Sequence, residues 1–210
     1  MSQRQVLENS INLLNTLRGP AKILIGGSGL PMPTRIENVI DPSSGAPAAS
    51  WVALGLTRGG INVVKNLDIA IRDDVDQILG AYDQDITDRN YQVTTQLAEV
   101  LASSDQIAYA MAFDMSPTIV VGSGATQIMR FLDDGANKTP ELRVAVIFPK
   151  AAAGKLLAFV FRRAAVSGGE KTFRFDKSDP ASPPLEFRAF PEIATTIDTR
   201  DSYGRLYEHN

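Results

Sequence analysis

The chain has 210 residues, of which 44% are apolar and 21% charged, with a formal net charge of −3. A chain of this length exposes roughly 9,500 Å² folded against about 33,000 Å² unfolded, enough burial for one core and a single domain spanning residues 1–210. The absence of cysteine and the single histidine, His209, argue against a disulfide scaffold, a thiolate zinc site, a cysteine nucleophile, a two-histidine metal centre and a Ser-His-Asp triad.

An amphipathic helix is predicted over residues 3–18. Val6, Leu7, Ile11, Leu14 and Leu17 recur near helical spacing there, and Gly19–Pro20 ends the pattern. It forms an N-terminal helical arm of about 1–19, too rich in Gln, Asn and Glu for a signal-peptide core, so no targeting segment is expected. A short strand follows at 21–25, then a long loop over 26–50 carrying Pro31, Pro33, Pro42 and Pro47. Loops this long are usually functional or disordered. Residues 51–56 read as a strand, and Arg58-Gly59-Gly60 as a turn into 61–71. In that segment Ile61, Val63, Leu67, Ile69 and Ile71 keep the period of a half-buried strand, with Lys65 breaking the apolar series.

The alternation resumes at Tyr91, Val93, Thr95 and Leu97. Ser103 or Ser104 then caps a short helix through Ala112. Further strands are predicted at 142–148, 156–166, 172–175 and 185–190. About eight strands and two helices, without strand–helix alternation, indicate a mainly β (α+β) fold: an antiparallel β-barrel or sandwich with one or two short accessory helices. The strongest apolar run, 156–161, is far shorter than the roughly 20 residues of a membrane helix. A soluble chain without membrane insertion is therefore expected.

Two glycine-rich stretches imitate nucleotide loops. Gly26-Gly27-Ser28-Gly29 follows a strand, but Pro31 and Pro33 replace the helix whose N-terminus must face the phosphates. Gly122-Ser123-Gly124 precedes Ile128–Leu132, which has helical potential. Gln127 stands where Gly or Ala belongs, so a tight turn between strands is the better reading. Asp73, Asp74, Asp76, Asp83 and Asp85 lack the alternating ligand pattern and terminal Glu of a calcium loop. No catalytic, metal or cofactor-binding residue is assigned, and no cofactor is expected.

Charge is distributed by region. From 68 to 114 there are ten acids against two bases, a net of −8, and from 115 to 175 nine bases against four acids, a net of +5. The two segments either pair within one subunit or meet between subunits, where complementary potentials set register. A net acidic chain is not expected to grip DNA.

The order of several short motifs resembles the major tail tube proteins of tailed bacteriophages, of the siphophage type. Trp51-Val52-Ala53-Leu54-Gly55-Leu56-Thr57-Arg58-Gly59-Gly60 resembles that family's W-x-x-L-G-x-T-x-G-G motif. Val75-Asp76-Gln77 and Thr94-Thr95-Gln96-Leu97-Ala98-Glu99 are similar to its acidic element and following strand, and 185–189 with 205–207 to its closing strand and tail. The resemblance implies a non-enzymatic virion protein, assembled in the host cytoplasm, that forms hexameric rings. The rings stack head-to-tail into a hollow tube that conducts DNA during ejection. Implied partners are other copies of itself, the tape measure and terminator proteins, and DNA in sequence-independent passage. Another ring-forming component, a tail terminator or head–tail adaptor, is the alternative, ahead of an unrelated nucleotide-binding enzyme. On this view Asp73, Asp74, Asp76, Asp83 and Asp85 face the lumen or a ring contact, Arg162 and Arg163 an adjacent subunit, and the 26–50 loop a neighbouring ring. The resemblance gives no role to the N-terminal helix or to residues 115–135.

Overall fold

The computed structural model describes residues 20–72, 83–98, 120–121, 128–129, 141–151, 154–167, 184–192 and 201–209. The helices expected at 3–18 and 103–112 and the strand at 172–175 lie outside them. The described chain is antiparallel β-structure: β1 (Lys22–Gly27), β2 (Val52–Ala53), β3 (Thr57–Arg72), β4 (Asp83–Leu97), β5 (Val120–Val121), β6 (Ile128–Met129), β7 (Leu142–Pro149), β8 (Leu156–Val166), β9 (Pro184–Phe190) and β10 (Gly204–His209). Eight strands form one sheet in the order β2-β1-β7-β8-β9-β4-β3, with β10 also on β8, and β5–β6 form a separate pair. The sheet is sandwich-like and does not close into a barrel. Among the described residues no helix is long and apolar enough to cross a membrane.

The sheet branches at β8. Leu156–Phe161 pair with β10, whereas Arg163–Val166 pair with β9. At the fork the Arg162 amide donates to the Tyr203 carbonyl, 2.9 Å away. One strand thus serves two neighbours along one edge, and a groove opens where they part.

Alternation along the strands builds two cores. On one face Ile23, Ile25, Val144, Val146 and Phe161 meet Val93, Leu97, Leu185 and Phe187 of β4 and β9. On the other, Leu24, Ala145, Ile147, Ala158 and Val160 pack under Ile36, Val39, Ile40 and Trp51. β1 and β7 are therefore buried on both sides, which explains their nearly continuous apolar sequences. β9 is buried on one side only and alternates as expected, with Leu185, Phe187 and Ala189 inside.

Two local expectations change. Arg58-Gly59-Gly60 is a bulge within β3: Arg58 faces Gln96 and Ile61 faces Thr95, leaving both glycines extra. Gly59 and Gly60 take φ of 76° and 89°, which is why glycine is needed, and Thr95 Oγ1 donates to the Gly60 carbonyl at 2.8 Å. Residues 120–121 and 128–129 are paired antiparallel strands, in keeping with the reading of a turn between strands and not with the helical potential of 128–132. The 26–50 loop, expected to reach outward, lies on its own sheet, anchored by a short 3-10 turn at Ile36–Asn38 and an Ile40–Pro47 bridge.

Trp51 closes that loop, and Gly26 makes room for it: a Cβ at position 26 would lie 2.7 Å from Leu30 Cδ1 and 3.3 Å from Trp51 Cε3. Trp51→Phe shrinks the buried ring and is expected to cost about 1–2 kcal/mol, read from denaturant unfolding followed by circular dichroism.

Candidate assembly interface

β3 and β4 pair continuously from Thr57↔Leu97 to Arg72↔Asp83. Among the described residues only Tyr91–Gln96 of β4 meet a third strand, β9. Beyond the Lys65↔Tyr91 pair the two strands continue as a ribbon for about 23 Å, at roughly 3.3 Å per residue. A two-stranded ribbon is marginally stable in water by itself. β3 has β4 as its only strand neighbour among the described residues, and long exposed edges are templates for another chain.

The ribbon carries the core-facing register outward. Ile61 and Val63 pack on the core. Farther along the same face Ile69 and the directly opposed Ile86 are each 48% exposed and Ile71 is 63% exposed. On the opposite face Asp68 lies across from Asp88, a like-charge pair that disfavours an isolated ribbon. The ladder relaxes just beyond it, where Thr87 is an extra residue and its hydroxyl donates to the Asp68 carbonyl at 3.1 Å.

At the base of the ribbon, where β10 and β9 part, lies a groove of about 380 Å³. Val63, Tyr91, Phe159, Phe161 and Leu206 supply its apolar walls, and Lys65, Arg89 and Arg205 its charge. Tyr91 stacks at a tilt on Phe161 and Tyr203, with centroids 5.8 and 5.2 Å apart. Lys65 Nζ sits 5.7 Å over the Tyr91 ring, a cation–π contact. The Tyr203 hydroxyl donates to the Arg89 carbonyl. Burial, then the charge of Asp88, holds its phenol above the ordinary value and so protonated. Lys65 and Arg89 form no salt bridge with a described residue.

The structure treats the candidate residues unequally. Asp73, Asp74 and Asp76 lie outside the described residues, in the segment joining the two ribbon strands. Asp83 and Asp85 are in β4, across from Arg72 and Ala70. Arg162 and Arg163, expected to contact a neighbouring subunit, are engaged inside their own. Arg162 is buried. Its Nε donates to the Asp201 carbonyl at 2.8 Å, and its two terminal nitrogens reach the Asp201 and Glu192 carboxylates. Arg163 grips Glu141 bidentately at 2.6 and 3.0 Å. The Glu141 hydrogen bonds raise its pKa against a smaller lowering by burial. Position on β8 decides this: Arg162 emerges at the fork beside Glu192, which follows β9, and Asp201, which precedes β10, whereas Arg163 lies beside Glu141, which precedes β7.

Lys65 and Arg89 are by contrast exposed and carry no salt bridge to a described residue, and regional charge totals hide them inside or beside the acidic half. Lys65 did leave a signal: it is the one charge in an otherwise apolar alternating series.

No protein-family model and no curated protein matches the sequence. The motifs that carry the resemblance have visible structural work. Trp51 and Leu54 enter opposite cores as the chain crosses from one face of the sheet to the other. Gly55, just after that crossing, takes a φ of 103° that favours glycine, and Gly59 and Gly60 form the bulge.

Proposed function

We propose that the chain is a self-assembling structural subunit, of the phage tail tube type, whose copies form rings that stack into a hollow tube within a virion. The observation that carries this reading is the β3–β4 ribbon, which extends an apolar face well beyond the subunit's own core. Exposed contiguous apolar surface of this kind marks a protein interface. Contacts between unlike surfaces of identical subunits propagate without closing along an axis, as a stacked tube requires. The order of the short motifs over most of the chain supports the same reading, as does the marginal stability of a bare ribbon.

The test separates assembly from folding. Ile69→Thr, Ile71→Thr and Ile86→Thr together keep β-branched side chains and hence strand propensity, while removing the ribbon's apolar face. The triple variant is expected to stay within about 1 kcal/mol of the parent in unfolding measurements, as exposed substitutions do, and to sediment as small species where the parent forms large ones. Equal assembly by both proteins would sink the ribbon's role.

A further inference from the structure

The groove at the base of the ribbon and the segment at its far end are chemically complementary. The segment joining Arg72 to Asp83 has the sequence Asp-Asp-Val-Asp-Gln-Ile-Leu-Gly-Ala-Tyr. It combines three carboxylates with Val75, Ile78, Leu79 and Tyr82. The groove combines aromatic and aliphatic walls with Lys65 and Arg89, which no described carboxylate neutralises, and with Arg205 at its rim. We propose that residues 73–82 of one copy dock in this groove of a second copy, the acids against Lys65 and Arg89 and the apolar side chains against Tyr91, Phe161 and Leu206.

The donor must be another molecule. The paired ladder from Lys65↔Tyr91 to Arg72↔Asp83 sets both ends of each segment about 23 Å from its own groove, and Asp73, Asp74 and Asp76, within four residues of Arg72, span at most about 14 Å of that. Segment and groove are unlike surfaces of one subunit, so the contact hands on from copy to copy instead of closing between two. Opposite charge sets which surfaces meet and in what register, and the apolar walls hold them. The proposal names the contact that the self-assembly reading requires and rests on that reading. It also accounts for the acids at 73–76 without placing them in the lumen.

The chain has no cysteine, so an engineered pair reports one contact. In the full-length protein, Ile78→Cys with Leu206→Cys is expected to give a ladder of disulfide-linked multimers on mild oxidation, visible on a non-reducing gel. Either single variant is expected to give dimers at most. In parallel, Lys65→Glu with Arg89→Glu changes exposed positions, so the fold is retained. It is expected to raise the concentration needed for assembly about tenfold. Adding Asp73→Lys, Asp74→Lys and Asp76→Lys in the same chain is expected to restore assembly. A ladder without filaments would keep the docking and remove the tube. Filaments with no ladder, unaffected by charge reversal in the groove, would overturn the docking and leave the tube standing. Neither ladder nor assembly would overturn both.

Discussion

Arg162→Ala is expected to lower the stability of the isolated subunit by about 4 kcal/mol, the cost of removing one partner from a buried ion pair. The Arg162 side chain is 10% exposed and that of Asp201 16%. Besides Arg162, Arg205 also donates to Asp201 Oδ2, at 2.6 and 2.9 Å. Without the guanidinium, Asp201 and Glu192 remain together at the fork of β8, with Arg205 still paired to Asp201 and only the longer-range charge of Arg143 acting on Glu192 among the described residues. Arg143, close by on the same face, has an Nε with no hydrogen-bond partner. Burial first, then the charge of Arg162, lowers its pKa, partly offset by Glu192. Exchanging the pair for Met and Leu, in Arg162→Met with Asp201→Leu, is expected to cost clearly less than the summed single variants, because no buried charge is then stranded. Chemical denaturation of the four proteins in one cycle reads the coupling.

The same cluster fixes a pH dependence. Burial alone would raise the Asp201 carboxyl, but hydrogen bonds and charge from Arg205 and Arg162 outweigh it and hold the group below its ordinary value. A depressed carboxylate contributes stability that is fully present above its unfolded pKa, near about 3.9. That contribution is lost as pH falls through the folded value. The cluster therefore holds at neutral pH and fails only below about pH 4, and Asp201→Asn is expected to flatten the acid limb of the stability curve.

Gly204→Ala is expected to cost about 3 kcal/mol or more. Gly204 pairs with Phe161 at the start of β10 and has φ of 151°. A Cβ there would lie 2.1 Å from the Val160 carbonyl oxygen and 2.9 Å from the Phe161 Cα. Both are backbone atoms in a central strand, so they cannot swing aside as a side chain would. Relief requires β10 to lift from β8. β10 also carries Tyr207, whose hydroxyl donates to the Pro33 carbonyl, and Glu208, which pairs with Lys150. Lifting it therefore loosens both the 26–50 loop and the β7–β8 turn. The melting temperature is expected to fall by about 6–12 °C, at 2–4 °C per kcal/mol for a chain of this size. Faster amide hydrogen exchange should be concentrated in residues 156–161 and 204–209. Uniformly faster exchange would instead indicate global destabilisation.

What the sequence disclosed follows from how each segment is buried. β8 was legible to the residue and β9 nearly so, because apolar runs and clean alternation report burial directly. The Arg58-Gly59-Gly60 bulge was misread because glycines with positive φ serve turns and bulges equally, and only the partner strand tells them apart. The 26–50 loop read as a reaching element because its prolines were visible and its anchors, Ile36, Val39 and Ile40, are scattered without period. For the candidate interface, composition located charge along the chain but not in space. Arg162 and Arg163 looked available until β9 and β10 brought Glu192 and Asp201 beside one, and Glu141 reached the other. The groove was illegible because Lys65, Phe161 and Leu206 come from strands far apart in sequence. Even so, a lone lysine on an apolar strand face was a usable hint.

The central claim is that this subunit is built to be completed by its own copies. Negative-stain electron microscopy of the purified parent protein over a range of concentration and salt tests it most directly. The expected image is rings, or long hollow filaments of constant width with an axial repeat of one ring. A protein that remains monomeric at high concentration in every salt condition would contradict the account.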